Sequence, residues 1–182
     1  MRLKRGLLIA LLLVGCVGCD QLTKEAAQQY LAFESPQSWF HDTVRLEYAE
    51  NRGAFLSLGS GFSEELRVIL FQVFPSLWLV GLAIVLFVAK QMPPRSAAAW
   101  GLVLSGGIGN LLDRVLHDGR VIDFMNVGIG SLRTGIFNVA DVCITIVYRC
   151  SHPRYYSDHL FQQMNRVLAI ARDSTLDPRG CV

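Results

Sequence analysis

The chain contains 182 residues, of which 52% are hydrophobic and 18% are charged, and it carries a net charge of +2. Soluble domains carry about 25% charged residues, so this composition indicates a membrane protein. The small net charge and the lack of a Lys/Arg run with interleaved aromatic residues argue against a nucleic-acid-binding surface. The five cysteines show no paired ligand spacing around a histidine cluster, so we expect no metal and no other cofactor.

Four apolar runs, at residues 6–19, 68–89, 97–112 and 136–148, account for the excess of hydrophobic residues. The second run is long enough to cross a bilayer although it contains Pro75, because neighbouring helices can satisfy the backbone group that a proline frees. The first run is short, the third is rich in glycine, and the fourth is the weakest. Together the runs predict an all-α membrane protein with four transmembrane helices.

Basic residues cluster outside the apolar runs and set the predicted orientation. They lie before the first run (Arg2, Lys4 and Arg5), between the second and third (Lys90 and Arg95) and after the fourth (Arg149 and Arg154). All three clusters fall on one side if the chain crosses four times, and the positive-inside rule makes that side cytoplasmic. We therefore expect both termini in the cytoplasm and segments 20–66 and 114–135 on the periplasmic side.

Small residues recur every four positions in the third run, at Gly101, Ser105 and Gly109. This spacing lets two helices approach closely, so we assign these residues to helix packing. In the first outer segment, residues 44–48 alternate between apolar and charged side chains, which predicts a strand. The Asn-Arg-Gly sequence at residues 51–53 then predicts a turn, because Asn and Gly tolerate positive φ.

Four aspartates lie at or near the predicted outer ends of the helices. Asp20 ends the first run, Asp113 ends the third, Asp123 lies inside an apolar quartet and Asp141 opens the fourth. Ionisable groups at membrane depth are costly, so a functional role is their default interpretation. Structural roles stay open, since Asp113 can pair with Arg114 or cap a helix and Asp141 suits a helix N-terminus. Asp123 fits a structural role least well.

Paired carboxylates at a surface of low dielectric constant suggest one kind of hydrolytic chemistry. Two such groups cannot both ionise easily, so the pair holds a proton and can activate a water for attack on a peptide carbonyl. The sequence contains neither a Gly-x-Ser-x-Gly elbow nor a His-Glu-x-x-His pair. A membrane acid protease is consistent with these residues, and a proton-coupled carrier with buried aspartates is the alternative.

Five short motifs follow one another along the chain. They are Asp20-Gln21-Leu22-Thr23-Lys24, Asn51-Arg52-Gly53-Ala54-Phe55, Gly106-Gly107-Ile108-Gly109-Asn110-Leu111-Leu112-Asp113-Arg114, Val121-Ile122-Asp123-Phe124 and Phe137-Asn138-Val139-Ala140-Asp141. In this order and at this spacing they resemble the motifs of the lipoprotein signal peptidase (signal peptidase II) family. The resemblance runs from the N-terminus to about Ile146.

The resemblance implies a four-helix protein of the bacterial inner membrane, with a small periplasmic β-sheet between helices 1 and 2. It implies an aspartic endopeptidase that works without metal and cuts prolipoproteins before the lipid-modified cysteine. The expected partners are these prolipoproteins and membrane lipids, the active site is expected to face the periplasm, and we expect a monomer.

The resemblance also assigns roles to ten residues. Asp123 and Asp141 match the catalytic pair of the family. The residues that match positions shaping or supporting the site are Asp20, Asn51, Gly53, Asn110, Asp113, Arg114, Asn138 and Ala140.

The end of the chain departs from the family pattern. Where the family continues with a full apolar helix after Asp141, polar residues interrupt this chain from Arg149 onwards. We therefore divide the chain into a membrane-embedded aspartyl peptidase domain, residues 1–148, and a polar, amphipathic cytoplasmic tail, residues 149–182. A disordered tail is the alternative for the second part.

Two rival interpretations of the whole chain remain. The basic N-terminus, the apolar run and Leu-Val-Gly-Cys at residues 13–16 resemble the cleavage box of an exported lipoprotein, acylated at Cys16 or Cys19. That interpretation leaves three further apolar runs and the aspartate motifs without explanation. The second rival is a non-catalytic relative that keeps the scaffold of the peptidase.

Overall fold

The computed structural model describes residues 2–53, 59, 61–89 and 92–151. In chain order the elements are α1 (Arg2–Leu31), β1 (Gln37–Trp39), β2 (Val44–Asn51), α2 (Glu64–Val68), a π-helical turn (Ile69–Val73), α3 (Phe74–Val88), α4 (Pro94–Leu116), β3 (Val121–Ile129), β4 (Leu132–Arg133) and α5 (Val139–Ser151). The chain divides into two units, Met1–Val147 and Tyr148–Val182. Our predictions for residues 152–182 lie outside the described residues.

The first helix is much longer than its apolar run. We predicted that Asp20 ends it, but α1 continues to Leu31 and Asp20 lies in its interior. The reason is charge neutralisation within the helix, because Lys24 lies one turn after Asp20 and its Nζ is 2.7 Å from the Asp20 carboxylate. By length and composition, Leu3–Leu31 is sufficient to cross a membrane.

The second predicted span forms one continuous helical stretch, Glu64–Val88, with a π-helical turn inside it. It begins four residues before the apolar run, where the Ser63 hydroxyl accepts a hydrogen bond from the Leu66 amide. Pro75 lacks an N–H, and its ring opposes the carbonyl four residues earlier, at Phe71. Phe71 lies in the π-helical turn, whose wider backbone relieves that clash. The prediction that the helix passes through Pro75 is confirmed.

Glycines let α4 approach three other helices closely. A Cβ built on Gly101 would lie 3.2 Å from Leu12 of α1, and one on Gly107 would lie 2.5 Å from Leu79 of α3. The tightest approach is at Gly106, whose Cβ would lie 2.4 Å from the carbonyl oxygen of Ala140 in α5. The assignment of the small residues in this helix to packing is therefore confirmed.

The sheet is antiparallel, with strand order β1-β2-β3-β4. The strand predicted from the alternation at residues 44–48 is confirmed as part of β2, which pairs with β3 from Val44↔Val127 to Asn51↔Val121. We predicted a sheet between the first two helices, but half of it comes from the segment between α4 and α5. Asp123 therefore lies on a strand, and the other members of its quartet are buried beside it.

The last helix is short. With 13 residues, α5 extends about 20 Å, whereas the hydrocarbon core of a bilayer is about 30 Å thick. Among the described residues, two stretches are long and apolar enough to cross a membrane, Leu3–Leu31 and Glu64–Val88. The described part of the fold thus combines two clear apolar helices with a small antiparallel sheet.

The close approach at Gly106 generates a stability prediction. We expect Gly106→Ala to lower the free energy of unfolding by about 1–3 kcal/mol, because the added methyl group meets a carbonyl oxygen that belongs to the backbone. Gly81→Ala is the matched control, since no described atom lies within 4 Å of its Cβ position on α3. Thermal unfolding in detergent measures both variants, and equal melting temperatures for the two would contradict the packing argument.

Candidate active site

Asp123 and Asp141 line the same cavity, which has a volume of about 260 Å³. Asp123 is the third residue of β3, and Asp141 lies in the first turn of α5. The other lining residues include five with apolar side chains, namely Phe71, Leu111, Val121, Ile136 and Ile144. The fold therefore brings the two carboxylates that the sequence singled out into one largely apolar hollow.

Two asparagines link the carboxylates through a chain of hydrogen bonds. The Asn138 amide Nδ2 donates to Asp123 Oδ1 (2.7 Å) and to Asn110 Oδ1 (3.0 Å). The Asn110 amide Nδ2 in turn donates to Asp141 Oδ1 at 2.8 Å. Both aspartates are consequently held by fixed side-chain donors.

Asn138 also begins helix α5. The Asn138 side-chain oxygen Oδ1 accepts a hydrogen bond from the Asp141 backbone amide (3.0 Å). The Asn138 backbone amide donates to Asp141 Oδ2 (3.2 Å). This reciprocal arrangement is a form of capping box, in which an Asn before the helix and an acid three residues later satisfy each other's backbone donors. The structural role that we left open for Asp141 is thus present, in addition to its place in the cavity.

Asn51 holds Asp123 from the other side. Its Nδ2 donates to Asp123 Oδ2 at 3.2 Å, and its Oδ1 accepts from the Gly53 amide at 2.9 Å. The turn predicted at residues 51–53 is present, and the chain bends there through this side-chain-to-backbone bond, which forms an Asx-type turn.

A buried lysine, which our list of site residues omitted, contacts Asn110, the residue that donates to Asp141. Lys24 is 2% exposed, and its Nζ lies 2.7 Å from Asp20 Oδ2, 2.9 Å from Asp113 Oδ2 and 3.1 Å from Asn110 Oδ1. The spacing of Asp20 and Lys24, one helical turn apart, was the signal that could have identified it.

Asp113 does not pair with Arg114, which was one of the structural roles that we left open for it. Besides Lys24, it accepts hydrogen bonds from the side chain of Gln21 (2.8 Å) and from the backbone amide of Ile122 (3.0 Å). Consecutive helical residues point about 100° apart, so Arg114 faces another direction. Its guanidinium donates to the backbone carbonyls of Asn110 and Gly53, both at 3.0 Å.

Asp20 connects the first helix to the last. Its Oδ1 accepts a hydrogen bond from the Ala140 amide at 2.8 Å, within the first turn of α5. Gly109 of α4 provides the space for this contact, because a Cβ there would lie 2.6 Å from Asp20 Oδ2. The eight residues predicted to shape or support the site therefore all lie in one connected network with the two aspartates.

The surroundings of Asp123 raise the pKa of its carboxyl group. Burial, followed by the nearby charge of Asp141, raises the pKa of Asp123 from 3.8 to about 7. The hydrogen bonds from Asn51 and Asn138 act in the opposite direction but do not outweigh burial. Near neutral pH the Asp123 carboxyl is therefore about half protonated, which is the condition for proton exchange with a bound water.

The carboxylate oxygens of both aspartates already have hydrogen-bond donors within the protein. Each oxygen of Asp123 and of Asp141 accepts a hydrogen bond from an amide N–H. In the part of the chain that the structure describes, no group of three His, Cys, Asp or Glu side chains converges as a metal site requires.

The buried ion cluster generates a second stability prediction. We expect Lys24→Met to lower the free energy of unfolding by about 3–5 kcal/mol, because Asp20 and Asp113 then face each other without a counter-charge. The control is Arg120→Met, which breaks the partly exposed ion pair with Glu50 and should cost about 1 kcal/mol or less. Thermal unfolding in detergent compares them, and a Lys24→Met protein as stable as the control would contradict the prediction.

Comparisons with known proteins point to one family. The family model described as signal peptidase (SPase) II matches residues 12–151. The lipoprotein signal peptidase of Treponema denticola is 35% identical over 128 residues, covering 67% of this chain and 73% of the relative. That of Streptococcus pneumoniae is 30% identical over 146 residues, covering 79% of this chain and 89% of the relative.

Two solved structures share the fold. A bacterial membrane enzyme determined by the in meso method at 2.3 Å resolution aligns with a TM-score of 0.68 and 22% identity, covering 96% of this chain and 94% of that one. A second, at 1.9 Å resolution, aligns with a TM-score of 0.64 and 24% identity, covering 78% and 88%.

The family match begins at residue 12, inside the first apolar run, and it continues through all five motifs. This extent excludes the exported-lipoprotein interpretation, which explained only the N-terminal run. The chain belongs to the signal peptidase II family.

Proposed function

We propose that the chain is a membrane aspartic endopeptidase that removes signal peptides from diacylglyceryl-modified prolipoproteins and cuts before the lipidated cysteine. Family membership supports the substrate class. The proposal of an aspartic mechanism is supported mainly by the candidate active site, where Asp123 and Asp141 line one cavity and the pKa of Asp123 is raised to about 7. The apolar lining of that cavity suits the hydrophobic residues of a signal peptide.

In the proposed reaction the two carboxyl groups have opposite roles. Ionised Asp141 takes a proton from a water as the water oxygen attacks the scissile carbonyl carbon, while protonated Asp123 gives its proton to the carbonyl oxygen. The tetrahedral intermediate then collapses, the C–N bond breaks, and Asp141 returns its proton to the leaving nitrogen. Asp123 recovers a proton from the intermediate, so the pair ends as it began.

The remaining site residues position this pair. Asn110 and Asn138 orient the carboxylates through their amide donors, and Asn51 fixes the second oxygen of Asp123. Asp20 and Asp113 act through Lys24, which hydrogen-bonds Asn110. In this scheme these residues do not touch substrate.

We further propose four membrane crossings in the bacterial inner membrane, with both termini cytoplasmic, the site facing the periplasm, and a monomer as the working form. A hydrogen bond from Arg5 to the carbonyl of Phe87 (3.3 Å) supports this placement, because it brings the first basic cluster to the end of α3, just before the second. The aspartates lie towards the opposite ends of α1 and α4.

The placement is tested with reporter fusions. Alkaline phosphatase, which is active only in the periplasm, should be active when fused after Pro36 and inactive when fused after Pro93. The opposite pattern would contradict the proposed orientation.

The proposed catalysis predicts the effect of removing either acid. Asp123→Asn and Asp141→Asn should each lower the turnover of a diacylglyceryl-modified prolipoprotein peptide by about a hundredfold or more, because an amide cannot exchange the proton. Glu34→Gln, which removes an exposed carboxylate after α1, is the control and should retain full turnover. If the parent chain itself shows no turnover, it is a non-catalytic relative; turnover retained in either Asn variant would exclude that residue from catalysis.

The raised pKa of Asp123 predicts a pH dependence. Between about pH 4 and pH 7 the folded protein binds the Asp123 proton more tightly than the unfolded chain does, so stability falls as the pH rises through this window. We expect the melting temperature of Asp123→Asn relative to the parent to increase from pH 5 to pH 8. In parallel, kcat/KM of the parent should decrease above about pH 7, as protonated Asp123 is lost. A melting-temperature difference independent of pH would contradict the assignment.

A further inference from the structure

A second cavity, of about 300 Å³, lies beside the first and shares Phe71 and Arg114 with it. Its charged lining residues are Arg52, Glu64, Arg67, Arg114 and Asp118. Three positive and two negative charges leave the lining with a net charge of +1. The proposed peptidase chemistry gives this cavity no role.

The guanidinium groups of this cavity have unused hydrogen-bonding capacity. The Nε atoms of Arg67 and Arg114 are buried and have no hydrogen-bond partner among the described residues. None of the ion pairs in the described part of the chain involves Arg67, although Glu64 lines the same cavity. Buried donors in native proteins nearly always have a partner, so these point to a ligand rich in acceptor oxygens.

The position of the cavity indicates where such a ligand comes from. Arg67 lies near the start of Glu64–Val88, one of the two stretches apolar enough to cross a membrane. The part of this stretch next to the cavity exposes a band of apolar side chains, namely Leu66, Ile69, Leu70, Val73, Phe74 and Leu77. Arginine at the end of an apolar span stands at the depth of the lipid headgroups.

We propose that this cavity binds the phosphate of an anionic phospholipid, whose acyl chains lie along the exposed apolar band of Glu64–Val88. A phosphodiester carries one negative charge and complements the net charge of the lining. Its oxygens match the planar fork of a guanidinium, which binds phosphate through paired hydrogen bonds. The proposal rests on this helix lying in a membrane, and it does not depend on the peptidase chemistry.

Occupancy of the cavity would also affect the candidate active site. Phe71 and Arg114 form part of both linings, and the Arg114 guanidinium stands 6.0 Å from the centre of the Phe71 ring. A phosphate bound to Arg114 therefore restricts the same side chain that donates to the Gly53 carbonyl, beside the turn that holds Asn51.

The test measures lipid binding directly, without substrate. The full chain is delipidated in neutral detergent, and native mass spectrometry follows the binding of phosphatidylglycerol and of phosphatidylcholine with the same acyl chains. We expect phosphatidylglycerol to bind about tenfold more tightly, and Arg67→Gln to remove this preference, as the loss of one charged contact predicts. Arg95→Gln, which removes an exposed positive charge at the start of α4, should bind like the parent.

Several outcomes would overturn the proposal. They are equal binding of the two lipids by the parent chain, an equal loss in Arg67→Gln and Arg95→Gln, displacement of the lipid by excess inorganic phosphate, and binding of an acidic peptide in place of the lipid with the same dependence on Arg67. Arg67→Lys keeps the charge but lacks the fork, and should show a preference between those of the parent and Arg67→Gln. Because cleavage is not measured, an inactive peptidase leaves the result interpretable.

Discussion

A lysine ammonium that is almost inaccessible to water has to be matched by negative charge, and this requirement organises the centre of the molecule. Lys24 lies between Asp20 and Asp113, both 1% exposed. The remaining lone pairs of the two carboxylates accept backbone amides from other elements, at Ala140 in α5 and at Ile122 in β3. One buried charge therefore ties together the first helix, the glycine-rich helix, the central strand and the last helix.

The same ammonium determines how the acidic pair is held. The Asn110 side-chain oxygen accepts from both Lys24 and Asn138, so its NH2 group must face Asp141. An ionised carboxylate is the natural acceptor for that fixed donor. Asp123 also accepts two amide donors, yet its burial and the charge of its neighbour outweigh them and raise its pKa. The amide donors therefore do not by themselves decide the pKa of Asp123.

The sequence predicted the apolar stretches and the strand at residues 44–48, because hydropathy and alternation are local properties of the chain. The predicted end of α1 was wrong. Hydropathy counts Asp20 and Lys24 as two separate charges that disfavour burial, whereas in the helix the two side chains form an ion pair. The pairing of Asp113 with Arg114, which the sequence left open, does not form because neighbours in a helical sequence do not share a face. A short apolar run such as that around Asp123 cannot be distinguished from a buried helix by periodicity alone, so β3 was not foreseen. The motifs selected ten residues that the fold brings into one hydrogen-bonded network, but only the fold reveals that Lys24 joins them.

The hydrogen bonds that complete the site join residues far apart along the chain. Asn51 and Asp123 are separated by 72 positions, and Asp20 and Ala140 by 120. Contacts of such long sequence separation form slowly, because the intervening chain must first be confined. During synthesis β2 can therefore pair with β3 only after α4 has been made, and Asp123 can meet Asp141 only after α5 begins. A nascent chain of this protein therefore carries the parts of the candidate active site for most of its synthesis and can bring them together only after α5 begins.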